Sequence, residues 1–93
     1  MMSIKKIIKI TNPQGLHARP ASNFVKIANK YEADVIVRKG DEAVSGKSIM
    51  NLMTLAANFG TVLEIEVCGS DAEAAMRELE TFLTQDTEEG ETK

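Results

Sequence analysis

Thr61-Val62-Leu63-Glu64-Ile65-Glu66-Val67 places Leu63, Ile65 and Val67 on one side of an extended chain and Glu64 and Glu66 on the other. A strand that is apolar on one face and charged on the other is half-buried. It belongs to a sheet with one covered face and one wet face. The rest of the chain supplies the cover. Downstream, Gly69 ends the strand, and Ser70-Asp71-Ala72-Glu73 has the pattern of a capping box. The helix it opens carries Ala72, Ala75, Met76, Leu79, Phe82 and Leu83 along one stripe. No apolar residue follows Gln85, so 86–93 reads as a disordered acidic tail beyond a single domain of residues 1–85.

Upstream, the same one-sidedness recurs in each element. Ile4 to Thr11 reads as a first strand with Ile4, Ile8 and Ile10 on one face and Lys5 and Lys9 on the other, although Lys6 and Ile7 break the pattern. Asn12-Pro13-Gln14-Gly15 has the residues of a type I turn. Ala21, Phe24, Val25, Ala28 and Tyr31 then fall on a helical stripe, with Lys26 and Lys30 on the wet side, either as solvated charges or as an attraction for a partner. Ala33 to Arg38 is a second strand, Lys39-Gly40-Asp41 a turn, and Glu42-Ala43-Val44 a short third strand. Ser48 is a good N-cap for a short helix. On that helix the apolar arc from Leu55 through Leu52, Ala56, Ile49 and Met53 to Met50 spans roughly 220°. A helix lying on a sheet buries a stripe somewhat over 100° wide, so part of this arc should face water.

The predicted class is α+β. The order β-α-β-β-α-β-α gives an open-faced two-layer sandwich, a single antiparallel sheet with three helices on one face. Ninety-three residues suffice for one core. The lone Cys68 cannot form an internal bridge, and no apolar run approaches the roughly 20 residues of a membrane span. A cytoplasmic protein without membrane insertion is expected. The net charge of −3 divides unevenly. Residues 1–70 hold nine Lys/Arg against six Asp/Glu, and residues 71–93 two against eight. Phe24, Tyr31, Phe59 and Phe82 lie in core-like patterns, which together with the weak basic excess argues against nucleic acid as a partner.

Chemistry points to one place, Gly15-Leu16-His17-Ala18-Arg19-Pro20-Ala21, which holds the only histidine. Pro20 lacks an N–H and is tolerated in a helix only within the first turn, so it marks where the helix begins. Either Pro20 is the first helical residue and Arg19 the cap, or His17 caps and Pro20 is third, with Arg19 helical despite the steric objection before proline. In both arrangements His17 lies near unpaired N–H donors and the positive end of the helix dipole, an anion-receptive setting. A neutral imidazole, with an ordinary pKa of about 6.5, can accept a phosphoryl group and release it. Arg19 can stabilise the dianion. No second histidine, paired carboxylate, metal-ligand set or Walker loop accompanies it, so a nucleotide-using kinase is poorly supported.

These seven residues resemble the active-site signature of the histidine-containing phosphocarrier protein (HPr) family of the phosphoenolpyruvate-dependent sugar phosphotransferase system. Gly46-Lys47-Ser48-Ile49-Met50-Asn51-Leu52-Met53-Thr54-Leu55 is similar to that family's regulatory-serine segment, at a fitting distance along the chain. The resemblance runs from about Ile4 to Leu83. It implies strand order 1-4-2-3 and a monomeric carrier that is not itself an enzyme and uses no cofactor. His17 would be phosphorylated on Nδ1 by enzyme I and would pass the group to enzyme II A domains. Arg19 and the backbone N–H groups of Ala18 and Arg19 would hold the phosphate. Ile49, Met50 and Met53 would dock partners, and Ser48 would be modified by an HPr kinase/phosphorylase. Related alternatives are a nitrogen-type regulatory paralogue that moves no sugar and a co-regulator of transcription; relatives serving only as co-regulators lack the histidine.

Overall fold

β4 (Val62–Cys68) lies between β1 (Ser3–Lys9) and β2 (Asp34–Lys39), and β3 (Glu42–Ser45) completes an antiparallel sheet of order β1-β4-β2-β3. The structure, a computed structural model, describes residues 3–11, 18–55, 57 and 60–84, the side chains of Ala18 and Arg19 excepted. Both the element sequence β-α-β-β-α-β-α and the 1-4-2-3 order agree with the expectation.

Register explains the one-sided core. Ile8 stands opposite Leu63, Val35 opposite Val67 and Val37 opposite Ile65, and residues directly opposite one another share a face. All six are buried. Above them lie α1 (Ala18–Ala28), contributing Ala21, Phe24, Val25 and Ala28, and α3 (Ala72–Leu83), contributing Ala72, Ala75, Met76, Leu79 and Leu83. The rings of Phe24 and Phe82 meet edge to face across the two helices, their centroids 6.5 Å apart. α2 (Ile49–Thr54) packs against α1 and β3 and buries Leu52.

The two residues that break the alternation of β1 each have a physical outlet. Lys6 stands opposite the buried Ile65, on the covered face, but β1 is an edge strand. Its ammonium reaches the rim and pairs with Glu80 of α3 at 2.8 Å. Ile7 stands opposite Glu64 on the open face and is exposed.

The capping box does not form. Asp71, not Ser70, is the N-cap of α3, and its side chain makes no bond to the helix. Instead the carboxylate accepts the N–H groups of Glu32 and Ala33, both at 2.9 Å. Those donors lie in the turn between α1 and β2; Ala33 is buried, and a buried backbone N–H left unpaired would be costly. The second strand accordingly begins one residue later than expected, at Asp34, because the N–H of Ala33 is committed to Asp71. Gly69 allows the close approach: a Cβ at that position would lie 2.6 Å from the Cα of Ala33.

The hydrogen bond from the Glu32 N–H, seconded by that from Ala33, holds the Asp71 carboxyl below the ordinary aspartate range. A depressed folded-state value means stability that is present above the ordinary range and lost as pH falls through the folded value. Asp71→Asn should therefore lower the urea midpoint at pH 7, and the gap to the wild type should narrow on acidification. A gap independent of pH would contradict this account of Asp71.

Candidate functional site

α1 begins at Ala18, so Pro20 is its third residue and Arg19 is helical although a proline follows. The position is tolerable because N–H groups of the first turn have no internal acceptor in any case. Pro20 is buried, fixed against the body of the protein. With Pro20 lacking a donor, Ala18 and Arg19 supply the N–H groups of the helix opening. The first turn contains no acidic residue, so its own side chains do not neutralise the positive end of the helix.

His17 immediately precedes Ala18 in the chain and lies outside the described residues. So do the Asn12–Gly15 turn and the side chain of Arg19. Of the two arrangements weighed for the helix start, the observed boundary is the one with Pro20 third. Whether His17 supplies the cap lies outside the described residues. The strand that leads toward this segment is well anchored: the Ile10 N–H donates to the Thr61 carbonyl at 2.8 Å, and the Thr11 N–H donates to Leu83 at the end of α3 at 3.0 Å.

The second expected segment is described throughout. Ser48 is the N-cap of α2, and its hydroxyl accepts the Asn51 N–H at 3.2 Å. Gly46 threads the chain past the core to reach it. Its N–H donates to the Val35 carbonyl at 2.8 Å, and a Cβ there would lie 2.4 Å from Val35 Cγ1. Leu52 and Leu55 turn inward, whereas Ile49, Met50 and Met53 are 39%, 78% and 47% exposed. The described residues of the wide apolar arc are thus divided between core and water, and Ala56 lies outside the described residues. α2 contains no charged residue, and its outer surface is an uncharged patch on the helix that packs beside α1.

Charges around these helices sort into committed and available. Lys30 and the Tyr31 hydroxyl both bond the Glu78 carboxylate. The bonds from Lys30 and Tyr31 hold that carboxyl below its ordinary range, and the reciprocal bonds to Glu78 raise both Lys30 and Tyr31. Lys26 is exposed and has no ion-pair partner among the described residues. Of the two lysines expected on the wet side of the first helix, Lys30 lies just beyond α1 and is committed to Glu78, and Lys26 is therefore the one available to an acidic partner. Two lysines that the sequence left unassigned serve backbone carbonyls near helix ends. Lys47 donates to Tyr31 at 2.8 Å, beyond α1, and Lys39 donates to Leu55 at 2.9 Å, at the end of α2. Each acceptor is sixteen residues from its lysine, so no local pattern announces the pair.

Among the described residues no group of three or more His, Cys, Asp or Glu side chains could hold a metal, and no helix is long and apolar enough to cross a membrane.

The family model for the PTS HPr component phosphorylation site matches residues 4–85, and the chain belongs to the HPr family. It is 46% identical over 88 residues to the phosphocarrier protein HPr of Neisseria meningitidis serogroup A, covering 95% of this chain and 99% of that one. The crystal structure of a phosphocarrier protein HPr from Bacillus anthracis superposes with a TM-score of 0.85 at 37% identity, covering 89% and 99% of the two chains. Crh, the Bacillus subtilis catabolite repression containing protein, crystallised as a dimer with a swapped domain, matches with a TM-score of 0.73 at 34% identity, covering 88% and 94%.

Removing the Ser48 hydroxyl leaves the Asn51 N–H without its cap. Ser48→Ala should therefore destabilise the fold by about 1 kcal/mol, measured as a shift of the urea midpoint. Unchanged stability would show that the capping bond contributes nothing.

Proposed function

We propose that this protein is the phosphocarrier of a phosphoenolpyruvate-dependent sugar phosphotransferase system, with His17 as the phosphoryl acceptor. A neutral His17 would attack the phosphorus of phosphorylated enzyme I through Nδ1. A new N–P bond forms as the bond to enzyme I breaks, and the group then passes to an enzyme II A domain in the same manner. The backbone N–H groups of Ala18 and Arg19, with the Arg19 guanidinium, would take up the charge of the transferred dianion. The observation that carries the reading is the start of α1 at Ala18 with no acid in its first turn. The residue before it in the chain is the only histidine of a member of the HPr family.

Partner binding is assigned to the uncharged outer face of α2, through Ile49, Met50 and Met53, with Lys26 favouring acidic surfaces. Phosphorylation of Ser48 by an HPr kinase/phosphorylase would set about two negative charges beside Ile49 and Met50 and oppose apolar docking by desolvation and repulsion. The carrier would work as a cytoplasmic monomer, its domain spanning residues 1–85, and would catalyse nothing without its partner enzymes. Similarity to Crh brings in a second reading, a co-regulator with the histidine idle, and His17 argues against it, because relatives serving only as co-regulators lack the histidine.

Incubation with enzyme I and labelled phosphoenolpyruvate separates the two. The wild type should take up acid-labile label and His17→Ala should take up none. Equal labelling of both proteins, or of neither, would remove His17 from the mechanism.

A further inference from the structure

We propose that Met50 and Met53 form a reversible oxidation site that weakens partner docking, an inference that rests on the docking role given to α2 above. The two side chains are 78% and 47% exposed, whereas Met76, on the covered side of α3, is 2% exposed. Access to a hydroperoxide therefore differs sharply among these three thioethers. Met50 and Met53 are three residues apart on one helix, so they are neighbours on a single face. No charged residue of α2 dilutes that face. Beside Ile49, its apolar character is carried by two sulfur-containing side chains, soft and adaptable groups of the kind suited to meeting more than one partner.

The chemistry is complete with a hydroperoxide as oxidant. The thioether sulfur attacks the distal peroxide oxygen, an S–O bond forms as the O–O bond breaks, and for hydrogen peroxide the remaining oxygen leaves as water. Sulfur loses two electrons and the peroxide gains them. The product sulfoxide is strongly polar, and burying it against an apolar partner without a hydrogen-bond donor is unfavourable. The fold should not respond, because α2 is anchored from its other side by Leu52 and Leu55, both buried. Thiol-dependent methionine sulfoxide reductases return the thioether.

The test treats the intact protein with hydrogen peroxide, maps sulfoxide by peptide mass, and measures phosphoryl transfer from enzyme I before and after. Met50 and Met53 should oxidise well ahead of Met76, with unchanged far-ultraviolet circular dichroism. Transfer should fall about tenfold, corresponding to about 1.4 kcal/mol of lost docking, and sulfoxide reductase should restore it. The double variant Met50→Leu/Met53→Leu, measured against its own untreated rate, should be insensitive to peroxide. This outcome also separates the effect from oxidation of Cys68. Met76 oxidising as fast as Met50, undiminished transfer by the oxidised wild type, or a double variant that remains sensitive would each overturn the proposal. A wild type that takes no label even before treatment would overturn the carrier reading and this inference with it. Labelling indifferent to oxidation would overturn the inference alone.

Discussion

The fold depends on covering one face of a sheet whose other face stays wet. Leu63, Ile65 and Val67 on β4 are flanked by Ile8 on one side and by Val35 and Val37 on the other, so the apolar surface is continuous across three strands. Burying each such side chain is worth roughly 1.5–3 kcal/mol. That favours any arrangement in which α1 and α3 lie over this surface. Once Phe24 and Leu79 are sunk into it, the course of α1 and the place where its N-terminus emerges are settled. The chemistry of the family is located by a packing requirement.

Apolar burial leaves the connections undetermined, and polar contacts of long sequence separation fix those. Asp71 accepts two N–H groups of the α1–β2 turn, and Lys47 donates to the carbonyl of Tyr31 in the same turn. Glu78 holds Lys30 and Tyr31 just beyond α1. The C-terminal side of α1 is therefore tied to α3 and to the approach to α2. A helix anchored beyond that end and buried along one face is held against the sheet, which suits backbone N–H groups that are to receive an anion.

Chemistry and recognition are assigned to two adjacent helices. In the proposed reading the N–H groups at the start of α1 would receive the anion, and the uncharged patch of α2 would meet partners. Short helices are weak by themselves, and α2 depends on the Ser48 cap and on Leu52 and Leu55. Its outer side chains are consequently free of any structural duty. The same freedom leaves two thioethers in water, a liability for a purely structural surface and a control point for one that binds partners.

The sequence by itself determined the periodic features. The alternation in β4, the stripes of α1 and α3, and the over-wide arc of α2 each report one-sided burial within a few consecutive residues, so they specify the α+β class and require that part of the α2 arc face water. That Ile49, Met50 and Met53 are the outward residues came from family resemblance. Pro20 restricted the helix start to its first turn because the missing N–H is a property of the residue itself. Local pattern could not choose between the two positions within that turn, nor reveal that Asp71 caps a neighbouring turn instead of its own helix. It could not show that Lys6 escapes the covered face by reaching Glu80, or that Lys47 serves a carbonyl in the turn after α1. Strand order likewise came from family resemblance and not from periodicity. Each of these depends on which segments become neighbours once the sheet is covered, and hydrogen bonds and ion pairs act only over the few ångströms that the folded chain, not its sequence, brings about.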